Sequence, residues 1–234
     1  MRNVRILAAF GLVAAAGVAQ AEVSGTAAIV SDYDFRGITQ TNEQPAVQLS
    51  IDYANEAGFY AGTWGSNVGS DLGQFTDGGQ NTAGTEIDLY TGFKGTAGDL
   101  GWDAGITYYI YSGASDLNYP EIYGKLSYGM FSGGLYYSNE FGAKDNGSAT
   151  YLFGDVGIPA GDLTIGLHAG ISSGDGIEDA YFGPLEDSYQ DYSLGLSYSA
   201  SNLTLGVKWV FVDAGDAGSD DRIILSISTA LPWQ

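Results

Sequence analysis

The chain contains no cysteine, so no disulfide framework can hold it together. Basic residues are scarce as well. Eight Lys and Arg stand against 28 Asp and Glu in 234 residues, which excludes the clustered basic surface that nucleic acid requires. Proline occurs five times and histidine once, at His168. No apolar run reaches the ~20 residues that a membrane-crossing helix needs. Amphipathic helical periodicity of convincing length is also missing from the chain beyond residue 21.

What the chain does contain is aromatic and glycine-rich. Its 17 Tyr, 10 Phe and 4 Trp argue against disorder, which is poor in aromatics. Its 36 glycines are spread along the whole length and suggest many strands and turns. At the N-terminus, Arg2 and Arg5 precede an apolar stretch from Ile6 to Val18, followed by Ala19-Gln20-Ala21. That order of a positive region, a short apolar region and a small-x-small site predicts a cleaved signal peptide over 1–21. A single domain is expected over 22–234, with six basic residues and a formal charge of −22.

Alternation with a period of two recurs along this domain. In "VQLSIDY", Val47, Leu49, Ile51 and Tyr53 share one face, and Gln48, Ser50 and Asp52 the other. "LTIGLHAGI" and "LTLGVKWVF" repeat the pattern with glycine, threonine, His168 or Lys208 on the second face. About twelve strands of roughly ten residues are predicted. They fall near 23–35, 44–54, 58–67, 84–94, 100–111, 119–129, 131–141, 149–158, 162–172, 188–199, 202–212 and 221–231. Tight turns such as "ANEAG", "GTAGD" and "SASN" alternate with long acidic links such as "SDLGQFTDGGQNTAG" and "SGDGIEDAYFGPLED".

Short and long connections in alternation are the signature of an up-and-down transmembrane antiparallel β-barrel with short periplasmic turns and longer extracellular loops. A soluble sandwich would turn its apolar face inward. Strand lengths near ten residues and aromatics at strand ends favour the membrane barrel instead. The expected girdles comprise Tyr53, Phe93, Trp102, Tyr128, Phe131 and Tyr198 by the short turns. Tyr33, Phe35, Tyr108, Tyr137, Phe141 and Phe211 lie by the long loops. The chain closes on an aromatic, Trp233, one residue before its end, where outer-membrane proteins carry a signal for the barrel-assembly machinery. Outer-membrane lipid and lipopolysaccharide are then its surroundings.

Carrying the strand phase forward gives an expected pore lining. It comprises Asp32, Asp34 and Arg36 on the first strand, Asp52 on the second, and Glu86, Asp88 and Lys94 on the fourth. Asp103, Glu121, Lys125, Lys208 and Arg222 follow, together with Glu140 and Asp155. A Lys or Arg facing lipid at mid-depth costs ~2–4 kcal/mol, and this arrangement avoids that penalty. The third strand, "FYAGTWGSN", resists phasing because Phe59, Tyr60 and Trp64 compete for the outside. Arg36 is expected inside the barrel near the long-loop rim, beside Asp32 and Asp34. There it would act as a charged screen or as an internal ion pair. Nine acids against five bases lean any ion preference modestly toward cations.

The segments "SDYDFRGITQTNEQPAVQLSIDYANEAGFYAGTWGSNV", "EIDLYTGFKGTAGDLGWDAGITYYIY" and "YPEIYGKLSYG" resemble the TorF-type porin family, formerly a conserved hypothetical group. The resemblance extends to the "SDDRIILSIS" close. It implies a Gram-negative outer-membrane β-barrel with pore activity and brings no catalytic set, cofactor or metal site. The expected function is passage of small hydrophilic solutes, with a plugged structural or loop-binding barrel as the alternative. A barrel hydrolase is disfavoured: His168 points to the polar face, and no G-x-S-x-G elbow precedes it.

Overall fold

The computed structural model describes residues 22–69, 83–182 and 185–231. The expected signal segment, most of the 70–84 link and Trp233 lie outside them. Twelve strands close into one antiparallel barrel. They are β1 (Glu22–Val30), β4 (Ala46–Ala54), β5 (Phe59–Asn67), β6 (Thr85–Ala97), β7 (Leu100–Ser112) and β8 (Tyr119–Tyr128). Then come β9 (Phe131–Ser138), β10 (Ala149–Ala160), β11 (Leu163–Ser173), β12 (Ser188–Ala200), β13 (Leu203–Asp213) and β14 (Ser219–Ala230). Each pairs with its neighbours in sequence, and β1 seals the ring against β14 from Thr26↔Ala230 to Val30↔Ser226. Closure gives each of the twelve wall strands a paired neighbour on both sides, the condition for a sheet to cross lipid.

Alternation in the sequence becomes alternation in exposure. On β4, Val47, Leu49 and Ile51 are about half exposed, at 55%, 53% and 48%, while Ser50 between them is 4% exposed. Leu152, Leu194, Leu205, Trp209 and Ile223 extend the same outward apolar band around the wall. The pattern fits a barrel whose apolar side faces lipid. Short connections all lie at the end where β1 begins, and long ones at the other end. Three of the tight turns begin on Gly98, Gly129 and Gly161, each at positive φ.

The structure departs from the sequence reading at the loop-side end. The first wall strand stops at Val30 rather than continuing to 35. From Ser31 the chain leaves the wall and folds into the barrel, where β2 (Asp34–Phe35) and β3 (Ile38–Thr39) form a two-stranded hairpin. Its tip is Arg36-Gly37, with φ of 50° and 84°, the positive pair that a type I′ turn requires. Tyr33 and Phe35 therefore do not face lipid. Tyr33 is 7% exposed and its ring meets Trp64 at 5.2 Å, and Phe35 packs edge-on against Tyr109. Both faces of the hairpin are covered, so a period of two could not distinguish it from wall strand. Phe141, also expected at the lipid girdle, lies beyond the end of β9 in the 139–148 loop and is fully buried inside, its ring against Tyr119.

The structure also resolves the phase of β5. Phe59 faces outward against Phe93, at 5.5 Å between ring centroids, while Tyr60 and Trp64 point into the lumen.

Candidate functional site

The polar faces of the strands enclose a lumen, and the infolded hairpin divides it into two ends. Its root is tied to the near wall by charge. Arg222, on β14, donates from Nε to Asp32 Oδ2 at 2.7 Å and from Nη2 to Asp34 Oδ1 at 2.6 Å. The same Nη2 donates to the Gly37 carbonyl at 2.7 Å, and Nη1 reaches Asp220 at 3.2 Å. Lys208, on β13, donates to the other oxygen of Asp34 at 2.8 Å. Thr39 and Thr41 hydroxyls add two donors to Asp32 Oδ1. A buried carboxylate is tolerated only when satisfied in this way.

The tip reaches the far wall. Arg36 makes a bidentate pair with Glu121 on β8, Nη1 to Oε1 at 2.9 Å and Nη2 to Oε2 at 2.6 Å. Tyr109 donates its hydroxyl to Glu121 as well, at 2.8 Å. The guanidinium sits 4.8 Å from the Tyr136 ring on β9 and 4.6 Å from the Tyr151 ring on β10. In the ring order β9 is six strands from β1 in either direction, so Arg36 bridges the lumen to the side opposite its root. The expected company of Asp32 and Asp34 is replaced by Glu121. Those two aspartates are held by Arg222 and Lys208, whose positions on adjacent strands match the hairpin root.

Gly37 explains why the turn can sit so tightly. A Cβ there would stand 2.6 Å from Val212 and 2.7 Å from the Asp191 Cβ. Around the strut, Tyr109 stacks on Tyr119 at 4.7 Å, and Tyr119 meets Phe141 at 5.3 Å. Tyr119, Phe141, Ile177, Glu86 and Glu121 are all at most 2% exposed. This end of the lumen has the packing of a protein core.

The turn-side end differs. Asp52, Lys94, Asp103 and Lys125 line it and are only partly covered. The Tyr60 hydroxyl donates to Asp103 at 2.5 Å and also meets the Tyr123 hydroxyl, while Tyr90 donates to Asp52. The ammonium of Lys125 lies over Tyr123 at 4.6 Å, and that of Lys94 over Tyr60 at 5.5 Å. Gly92 and Gly105 let these tyrosines lie flat on the wall, since a Cβ at either would collide with Tyr60 or Tyr123.

Two features escaped the sequence reading. Tyr33, expected at the lipid girdle, instead donates its hydroxyl to Glu86 Oε1 at 3.2 Å. His168, on the polar face as expected, has carboxylate partners that the sequence does not announce: its Nδ1 lies 2.7 Å from Asp155 and its Nε2 2.9 Å from Asp191. Cross-strand register brings Asp155 to His168, and Asp191 faces Gly170 one step along. With a carboxylate at each ring nitrogen, His168 is not placed as a base for a serine.

A family profile described as a bacterial protein of unknown function (Gcw_chp) matches residues 14–223, nearly the whole chain, and the chain belongs to that family. No curated protein matches it. Among solved structures it is similar to the NanC porin, at 12% identity and a TM-score of 0.57, covering 89% of this chain and 99% of that one. It is similar also to the KdgM porin, at 12% identity and a TM-score of 0.55, covering 90% and 99%. These likenesses show a porin-like outer-membrane β-barrel fold.

Proposed function

We propose that this Gcw_chp protein is an outer-membrane channel for small hydrophilic solutes, exported by its N-terminal signal segment, with the 31–45 segment as its constriction. The supporting observation is the strut: Arg36 crosses the lumen to Glu121, while the turn-side end stays lined by partly exposed polar groups. Solutes entering between the loops meet a charged, aromatic-walled barrier before reaching the wetter half. Rings of fixed charge sort ions in such settings. The excess of carboxylates over Lys and Arg along the lumen favours cations modestly.

A second reading has its own support. Near-complete burial of Tyr119, Phe141 and Ile177 around the strut suits a barrel closed at rest, with its loops as the working surface. Single-channel current in a planar bilayer separates the two. The channel reading predicts discrete steps, a cation-leaning reversal potential in a salt gradient, and larger steps for Arg36→Ala. Silence from both wild type and Arg36→Ala, with each protein folded and heat-modifiable, would leave the closed barrel.

A further inference from the structure

Charge matching inside the loop-side end is incomplete at one place. Its three cations, Arg36, Lys208 and Arg222, are engaged with Glu121, Asp34 and Asp32. Glu86 and Asp88 lie side by side on the inner face of β6, and among the described residues no ion pair reaches either one. Glu86 is wholly buried. Its Oε1 accepts from Tyr33, but Oε2 has no hydrogen-bond partner, and neither has the buried Oδ1 of Asp88. The remaining basic side chains are elsewhere: Lys94 and Lys125 at the turn side, and Lys144 on an exposed loop. Residues 70–82, which precede β6, include no Lys or Arg in their sequence.

Leaving two carboxylate oxygens buried without a donor is costly, and leaving two full negative charges there is costlier still. We propose that Glu86 and Asp88 bind a divalent cation, Ca²⁺ by the hardness of the donors, inside the loop-side end of the barrel. The surroundings supply further oxygens. Ser66 on β5 and Tyr111 on β7 flank Glu86 in the sheet register, and the Tyr33 hydroxyl is already on it. Hard cations take such all-oxygen shells and complete them with water or carbonyls. A divalent ion cancels the two unmatched charges, whereas one shared proton would leave a net negative charge in a region already rich in carboxylates. The ion would tie β6 to the infolded segment through Tyr33, a third anchor beside Arg222 and Glu121. The site does not depend on whether the lumen conducts.

Trp64 provides the probe, since it faces Asp88 across the β5–β6 register and packs at a tilt against Tyr33. Refolded full-length barrel, stripped with chelator, would be titrated with Tb³⁺ under tryptophan excitation and then competed with Ca²⁺. Wild type should give saturable, Ca²⁺-reversible emission and a higher melting temperature with Ca²⁺. Asp88→Asn and Glu86→Gln should each weaken binding by about tenfold or more, as loss of a charged ligand does. An exposed-loop control, Asp175→Asn, should leave the titration unchanged. Equal Ca²⁺ response in wild type and both variants would assign the ion to surface carboxylates and overturn the proposal. No Ca²⁺ response in wild type would overturn it too and leave a shared proton. Should a variant fail to fold, Trp64→Phe keeps the test, because Trp209 lies beside Asp221 at the acidic start of β14 and could sensitise a surface ion. Emission lost with the Trp64 ring supports the internal site, and emission that persists overturns it.

Discussion

Ser132 and Ser138 lie on the same inner face of the same strand, β9, yet they occupy different environments. Ser132, by the short turns, is partly exposed, while Ser138, by the long loops, is 1% exposed. The difference is not in the wall, which alternates identically at both ends. It comes from the chain between β1 and β4, which returns into the barrel and fills one end with Tyr33, Phe35, Arg36 and their partners. A single pattern of strands thus encloses a packed core at one end and a wet, tyrosine-lined chamber at the other. The same kind of interaction has a different energetic weight in each. An ion pair sealed in the core cannot be replaced by water, whereas a carboxylate in the chamber can rehydrate.

That contrast is most easily broken at Arg222. Replacing it by alanine leaves Asp32 buried with only the Thr39 and Thr41 hydroxyls and Asp34 with Lys208 alone, and the expected cost is about 3–5 kcal/mol. Denaturant titration of the refolded barrel in detergent would report it as a lower midpoint. Gly37→Ala follows. It forces a side chain into positive φ and against Val212 and Asp191, with an expected loss of about 3 kcal/mol by the same assay. At the turn side, Tyr60→Phe removes a hydroxyl from Asp103 and Tyr123. Because Asp103 is partly exposed, the loss should be about 1 kcal/mol or less. Lys144→Ala, on an exposed loop, should leave the midpoint where it is. A turn-side substitution as damaging as Arg222→Ala would erase the distinction between the ends.

Most of the wall was legible in the sequence because lipid imposes a strict rule. Every second residue must be apolar, and each long or short link marks a rim. The twelve predicted strands correspond to the twelve observed, mostly within a few residues at their ends. The infolded segment was not legible for a related reason. Asp32, Asp34 and Arg36 continue the alternation of β1, and nothing in a period of two reveals that Tyr33 and Phe35 meet protein rather than lipid. The dipeptide Arg36-Gly37 was the available signal, since glycine after a polar residue between short alternating runs is a hairpin turn. Partner choice was out of reach altogether. Arg36 pairs with Glu121, 85 residues away, because the ring order sets β8 across from the hairpin tip. Likewise Asp191 reaches His168 only through the β11–β12 register.

The absence of native cysteine permits a direct test of the two-ended lumen. Ser132→Cys and Ser138→Cys would each be introduced alone, and the rate of modification by a small charged methanethiosulfonate measured on the folded barrel. A sealed loop-side end predicts that the cysteine at 132 reacts at least about tenfold faster, because the one at 138 must wait for local opening. Equal rates at the two positions would contradict the account and mean that water reaches both ends of the lumen alike.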